Sequence, residues 1–368
     1  MRLSVPCNWD PALLEKLSTV PDIYEMTAAM NTTPVGGGRS SLITNRVDAR
    51  TAEAVVDAAH RLGWRVAYLL NAPCMGNMEF DVRTHRALLE HLDWLATIGV
   101  DSVTLSIPYL IELVKTQYPM FRVKVSVIAG IDSLPKVRYL RELGADSITL
   151  DYMKNRDLAF LSTVVEEAPG DYWLLANEQC LFQCPFRRHH YAASGHSSQS
   201  WDPQSNYFEE YNLAKCLIYK LREPERLLMM PWIRPEDLSL YEAIGLDAFK
   251  LSGRHMATDA IVRAVEAYAS RRYDGNLMEI LNPFVGPEDA RFPKIDNRCL
   301  DGFLSGMATI DCDTACGRCR YCSLFAKKAI RMDDGAVSKH LSEMTRYVEG
   351  LKESGFLPTP ENKMTSTR

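Results

Sequence analysis

Across roughly the first 270 residues, short apolar or β-branched runs alternate with longer stretches whose apolar positions recur at helical spacing. Nine runs read as strands: Arg2–Val5, Asp22–Met26, Arg65–Leu70, Ser102–Ser106, Val123–Ile128, Ser147–Leu150, Tyr172–Ala176, Leu227–Met230 and Ala248–Leu251. Helices are expected between them at Ala52–Leu62, Thr84–Ile98, Leu110–Thr116, Leu134–Leu143, Asp157–Glu167, Asp237–Ile244 and Thr258–Ser270. Gly63, Gly99, Gly144 and Gly245 follow helical stretches, as residues that accept the left-handed cap. Each stands in a repeated L-G-W, I-G-V, L-G-A or I-G-L junction leading into the next strand. Roughly eight such units predict an α/β fold, a (β/α)8 TIM-like barrel, with one of the nine strands surplus to it. A doubly wound open sheet is the alternative, and the missing G-x-G-x-x-G after the first strand weighs against its dinucleotide-binding form.

Two stretches break the rhythm and read as irregular: Asn177–Ser205 and Gly275–Gly317. Residues 323 to 355 look helical again, and the closing ENKMTSTR is a polar tail. The expected organisation is a catalytic barrel over residues 1–275 and a small Cys-rich extension with helices over 276–368.

Composition narrows the functional classes. Of 368 residues 46% are hydrophobic and 24% charged, a globular balance, and the net charge of −5 gives no general attraction to nucleic acid or anionic lipid. The first residues resemble neither a signal peptide nor an anchor, and no apolar run approaches the roughly 20 residues that span a bilayer. A cytoplasmic protein is expected. Ten cysteines then need a reason, since a reducing compartment favours metal binding or redox chemistry over disulfides.

Those cysteines are clustered. Within NEQCLFQCPFRRHHYAASGH, Cys180 and Cys184 are close enough to meet one metal centre, and Arg187, Arg188, His189 and His190 would favour thiolates and attract an anion. The bland alternative is two structural thiols beside a solvated basic face. Cys216, on an expected helix, is a third candidate ligand, with Cys299, Cys7 or Cys74 as sources of a fourth. Near the C-terminus Cys312, Cys316, Cys319 and Cys322 are spaced C-x3-C-x2-C-x2-C, which suits a [4Fe–4S] cluster or a tetrahedral zinc. Their first three also have the spacing used by radical S-adenosylmethionine enzymes, but that motif normally follows the first barrel strand. Weaker signals are the TTPVGGGRSS loop, whose amides and Arg39 could cradle an anion, and PWIRPEDL with Arg234 and a capping Asp237. FKLSGRHM places Lys250, Ser252, Arg254 and His255 at the end of the last strand, where barrel residues face ligands. Glu25, Asn71, Glu79, Ser106 and Asp151 also fall at strand ends.

NEQCLFQCPFRRHH, PWIRPEDL and KLSGR together resemble peptidase family U32, as do SVPCNWDPALLEKL with DIYEM, the GGGRSS loop and NAPCMGNMEF. The resemblance covers essentially the whole barrel, while the tail with Cys312 to Cys322 is similar to one subgroup. It implies an oxygen-independent hydroxylase branch that carries a [4Fe–4S] cluster on four cysteines and is associated with prephenate as oxygen source. Its members act on ubiquinone precursors, transfer-RNA uridine or ribosomal-RNA cytidine, and some work as heteromeric pairs. By position Cys180, Cys184 and Cys216 match the family's central cysteines; the usual fourth is missing between Cys216 and Cys299.

The expectation is therefore an iron–sulfur oxidoreductase or hydroxylase with one [4Fe–4S] cluster, or two. Its ligands would come from Cys180, Cys184, Cys216, Cys299, Cys312, Cys316, Cys319 and Cys322. Arg39, Arg187, Arg234, Lys250 and Arg254 would bind substrate, and Arg187, His189 and Arg254 are the catalytic candidates. The substrate class is a small molecule or a peptide, with prephenate as oxygen donor and a protein partner or redox donor; neither membrane nor nucleic acid is expected. The alternatives are a metal-dependent peptidase, though H-E-x-x-H and G-x-S-x-G are both absent, and a non-catalytic electron-transfer subunit.

Overall fold

The computed structural model describes residues 1–203, 205, 211–282, 293–307, 310–316 and 318–354. Eight parallel strands close into a barrel in chain order: β1 (Arg2–Pro6), β2 (Ile23–Ala28), β3 (Arg65–Leu70), β4 (Ser102–Leu105), β5 (Arg122–Val125), β6 (Ser147–Thr149), β7 (Asp171–Leu175) and β8 (Ala248–Lys250). Six helices follow the first six strands: α1 (Pro11–Leu17), α2 (Ala49–Arg61), α3 (Val82–Thr97), α4 (Pro108–Gln117), α5 (Leu134–Glu142) and α6 (Leu158–Glu167). Between β7 and β8 lie α7 (Arg187–Ser197), α8 (Tyr211–Arg222), α9 (Arg226–Met229) and α10 (Leu238–Glu242); α11 (Thr258–Ala269) closes the ring. The remaining elements are β9 (Lys294–Ile295), α12 (Phe303–Met307), α13 (Cys312–Ala315), α14 (Tyr321–Ala329), β10 (Ile330–Arg331) and α15 (Asp334–Ser354). No described helix is long and apolar enough to cross a membrane.

The repeat is built from local chemistry. Asp10, Asp48, Asp81 and Asp157 accept backbone N–H bonds at the starts of α1, α2, α3 and α6. The junction glycines take positive φ, and at Gly144 a Cβ would come within 2.7 Å of Lys115, so the site is closed to larger residues. The Asp that follows each of three junctions ties strands together. Asp101 accepts the Val66 N–H at 2.7 Å, Asp146 accepts the Val123 N–H at 2.7 Å, and Asp247 pairs with Arg2 at 2.9 Å. Inside the barrel, Lys124 on β5 reaches Glu25 on β2 at 2.5 Å and lies 4.0 Å from the Trp173 ring centre. β2 and β5 are not neighbours, so this buried pair crosses the lumen and fills it rather than leaving a pore.

Two expectations change. Leu227–Met230 lies in the α9 region and is not a strand, so the surplus ninth strand disappears. The run has no β-branched residue, follows Pro224, and buries Leu227 and Leu228 in a single turn pinned by the Trp232 indole N–H on the Leu227 carbonyl at 2.9 Å. The stretch Asn177–Ser205 contains the eleven-residue α7. Its RRHHYAASGHS sequence has no apolar stripe, and tertiary contacts supply what periodicity does not. The Gly275–Gly317 stretch carries α12, α13 and the short β9, which pairs with β10. ENKMTSTR lies outside the described residues.

The C-terminal segment is seated on the barrel. Arg234, 1% exposed, donates to Asn297 Oδ1 at 2.9 Å, the Leu300 carbonyl at 2.6 Å and Asp301 Oδ1 at 2.8 Å. Trp232 stacks on Phe303 at 5.9 Å, and Phe303 packs on Tyr321 and Phe325 at 5.6 and 5.1 Å. α15 packs along α8 through Val348 and Leu341 against Ala214 and Ile218.

Candidate functional site

At the C-terminal mouth of the barrel the loop after β7 is stitched to the loop after β8. Asn177 Oδ1 accepts the Ser252 N–H at 2.8 Å, and Asn177 Nδ2 donates to the Ser252 carbonyl at 2.9 Å. Gln183 takes a left-handed φ of 48°, which turns the loop between Cys180 and Cys184. Both thiols line one cavity, and Cys216, buried on α8, lines it from the far side. Cys180 and Cys184 share a hydrogen bond, which together with burial raises the Cys180 thiol, and which lowers Cys184 against the opposing effect of burial. The Cys184 sulfur also accepts from the Phe186 and Arg187 backbone N–H groups beside Lys220, the kind of support a bound thiolate has. Tyr152 hydrogen-bonds Cys180, and its hydroxyl meets that of Tyr191 at 2.7 Å.

The rest of this wall is cationic. Arg39, Arg187, Lys250 and Arg254 line it, with Glu178 as the acid among them. Arg187 is committed: both terminal nitrogens lie 2.6 Å from the carboxylate of Asp151, so it acts as a strut. Arg39 stands 3.7 Å from Glu178. Arg254 is buried and its Nε has no partner among the described residues. Burial, with Lys124 and Arg254 nearby, pushes Lys250 down to about 7, and burial beside Arg39 pushes Arg254 down to about 9. Glu25 acts on Lys250 and Glu178 faces Arg39, but Arg254 is desolvated with no carboxylate beside it, which raises the free energy of the site, and an anion would relieve it. Asn71 and Ser126, bonded to each other at 2.9 Å, add neutral polar groups. The enclosed part measures about 100 Å³ and opens to solvent, so most of a substrate larger than a few atoms would lie in the open mouth.

The structure sorts the expected site residues. Arg39, Arg187, Lys250, Arg254, Cys180, Cys184 and Cys216 meet at the mouth. Arg234 does not: its guanidinium is fully engaged in seating the C-terminal segment. His189 is turned to Asn212 at 3.2 Å, while its neighbour His190 lines the cavity. The glycine-loop amides are not available for an anion, since Gly36, Gly37 and Gly38 donate to Thr33, Ser198 and Asn71. That loop is bolted to α7 instead, and at Gly36, with φ of 77°, a Cβ would lie 2.7 Å from the Gly195 carbonyl. Asp237 makes no capping hydrogen bond; burial raises its carboxyl to about 6. Glu25 is in the lumen pair, and Ser106 donates to the Asn71 carbonyl.

Of the other cysteines, Cys7 is buried in the core with its thiol pushed up to about 12, Cys74 is exposed, and Cys299 lines neither cysteine cavity. None supplies a fourth mouth ligand. Cys312, Cys316 and Cys322 line a separate cavity on the barrel flank. None of the ten cysteines is in a disulfide, and among the described residues no set of three or more His, Cys, Asp or Glu is placed to hold a single metal ion.

Sequence reading passed over Glu178, Tyr152, Tyr191 and Asn212 as wall residues. Glu178 and Tyr152 had a usable signal, each lying within three residues of a strand's C-terminal end. Tyr191 and Asn212 had none, because they arrive on helices whose placement only the fold decides.

Residues 38–153 match the model of peptidase family U32. An uncharacterized protease of Methanocaldococcus jannaschii is 33% identical over 302 residues, spanning 81% of this chain and 86% of that protein. The solved structure of the U32 peptidase Mk0906 aligns with a TM-score of 0.52 and 23% identity, covering 69% of this chain and 93% of that one, a likeness of fold.

Proposed function

The chain belongs to peptidase family U32, and on that premise we propose that it is an iron–sulfur-dependent, oxygen-independent hydroxylase or related redox enzyme acting on a small-molecule or peptide substrate. The observation that carries this reading is one cavity lined both by three thiols and by four cations with a single acid, Glu178, among them. The donor set fits a [4Fe–4S] cluster: all three groups are cysteines, and the Cys184 sulfur accepts backbone N–H bonds of the kind a bound thiolate has. Cys180, Cys184 and Cys216 would hold it. A cluster there supplies one-electron chemistry and, with three protein thiolates, an iron accessible to substrate.

The chain's own residues do the binding. Arg254 and Lys250 take the carboxylates of an oxygen donor such as prephenate, Arg254 through planar N–H groups. Glu178 orients Arg39 across the mouth. The Asp151–Arg187 strut backs Tyr152, whose ring lies 5.3 Å from the guanidinium, and so fixes the hydroxyl that bonds Cys180. The test is iron, acid-labile sulfide and the visible spectrum of anaerobically purified protein. About four irons lost in Cys180→Ala would support the reading; a mouth-thiol variant with unchanged iron and activity would sink it.

The relative's name favours a second reading, peptide hydrolysis. A hydrolase needs a nucleophile with a base, or a metal-bound water. Cys184 and His190 are the groups in the wall that could serve, with burial pushing His190 down to about 4. Peptide cleavage that survives removal of all iron would establish this reading in place of the first.

A further inference from the structure

The four C-terminal cysteines play no part in the mouth, yet they are built into the fold. Cys312, Cys316 and Cys322 face one cavity of about 390 Å³ between the C-terminal segment and the barrel flank. Cys319 is close enough to act electrostatically on both Cys316 and Cys322, and Cys322 also feels Cys312 and Cys316. The set is held by the aromatic packing of Phe303, Tyr321 and Phe325, and at Gly306 a Cβ would lie 2.2 Å from the Tyr321 hydroxyl. Four thiols thus fall within eleven residues, with no disulfide among them.

The opposite wall supplies charge. Arg156 lines the same cavity, with its guanidinium 4.4 Å from the Trp232 ring centre and 5.1 Å from that of Phe303. Its hydrogen bonds go to the Leu228 and Trp232 carbonyls, and no ion pair with a carboxylate is made among the described residues. Asp237 acts on Arg156 electrostatically, and Lys154, Asp157 and Asp311 share the cavity wall. A buried guanidinium is stabilised by an anion that faces it, and four thiolates around an iron–sulfur core leave a cubane with net negative charge. The C-x3-C-x2-C-x2-C run is also tighter than the two separated C-x2-C pairs usual for structural zinc.

We propose that Cys312, Cys316, Cys319 and Cys322 hold a second iron–sulfur cluster, closed by four thiolates and seated on the barrel flank against Arg156. Closed in this way, the centre carries electrons rather than substrate. Met153 and Phe182 line its cavity, while Tyr152, next to Met153, and Cys180, two residues before Phe182, line the mouth. In each cycle it takes one electron from an external one-electron donor, a reduced ferredoxin-type protein or dithionite in vitro. It passes that electron through this shared wall to a centre at the mouth and returns to its oxidised state. The binding assignment stands apart from the mouth reading; only the relay rests on it.

Iron, sulfide and zinc are counted in anaerobically reconstituted wild type, Cys180→Ala/Cys184→Ala and Cys316→Ala/Cys319→Ala, with electron paramagnetic resonance of the dithionite-reduced samples. The mouth variant is expected to keep about four irons and a reduced-cluster signal, and the flank variant to lose that signal. A mouth variant without iron, or one with stoichiometric zinc in its place, overturns the proposal. So does a flank variant with full iron. If the flank variant does not fold, the mouth variant alone decides, because iron left in it is held elsewhere. A wild type with about four irons, all lost with the flank thiols, upholds this site and sinks the mouth reading.

Discussion

The mouth and the flank use the same side chain in opposite ways. At the mouth, two thiols of one loop are joined by Cys216, more than thirty residues on, and the wall is crowded with Arg39, Lys250 and Arg254 against Glu178. On the flank, four thiols come from eleven consecutive residues, and three of them line a cavity shared with methionines, Phe182, Lys154, Arg156, Asp157 and Asp311. The mouth set gathers three thiols from two segments among cations with one acid. The flank set gathers four from one short run, in a wall where two cations are balanced by two carboxylates. The difference teaches that cysteine number alone does not assign a role; what faces the sulfurs does.

The largest expected effect removes a mouth thiol. Cys180→Ala should abolish activity and the mouth cluster while leaving the flank iron, read by iron content and turnover; loss of all iron would merge the two regions into one site. Next is the seat of the C-terminal segment. Arg234→Ala leaves Asn297 and the Leu300 carbonyl without their buried donor, while Asp301 stays solvated, and should lower stability by about 1–3 kcal/mol in a denaturant titration. An effect within about 0.5 kcal/mol would show that the flank does not depend on this clasp.

Arg254→Met should weaken prephenate binding by about 2 kcal/mol, roughly 30-fold in Kd, with stability unchanged or higher because an unpaired buried charge is gone. A matching loss of stability would make Arg254 structural and the mouth no more a ligand site than the flank. The smallest effect is in pH. Lys250 lies at about 7, below its ordinary value, so the folded chain binds fewer protons than the unfolded one between that pH and about 10.5, and stability rises with pH across this window. Anion binding needs the ammonium, so affinity should fall by up to about tenfold per pH unit above 7, and Lys250→Met should flatten the profile. Flank iron content should not follow this curve.

Much of the barrel was legible because its signals are local. Glycine junctions and short β-branched runs act over a few residues, and they announced roughly eight units. They failed at Leu227–Met230, where an apolar run of strand length is a buried helical turn, and at α7, whose residues have no apolar stripe. In the site, Arg39, Lys250 and Arg254 were readable as strand-end and loop cations. That Arg234, equally flagged, is a clasp was not, because its partners lie more than sixty residues away.

The sequence by itself determined the eightfold rhythm, the caps that punctuate it and the grouping of Cys312, Cys316, Cys319 and Cys322, since each depends on spacing within one or two turns of chain. Tertiary structure alone decided that Cys216 joins Cys180 and Cys184, that the glycine-loop amides are engaged by Thr33, Ser198 and Asn71, and which cations face the mouth. Those facts follow from closing the barrel, which brings distant loops to one rim and leaves burial, not sequence distance, to set the charge and hydrogen bonding of each side chain.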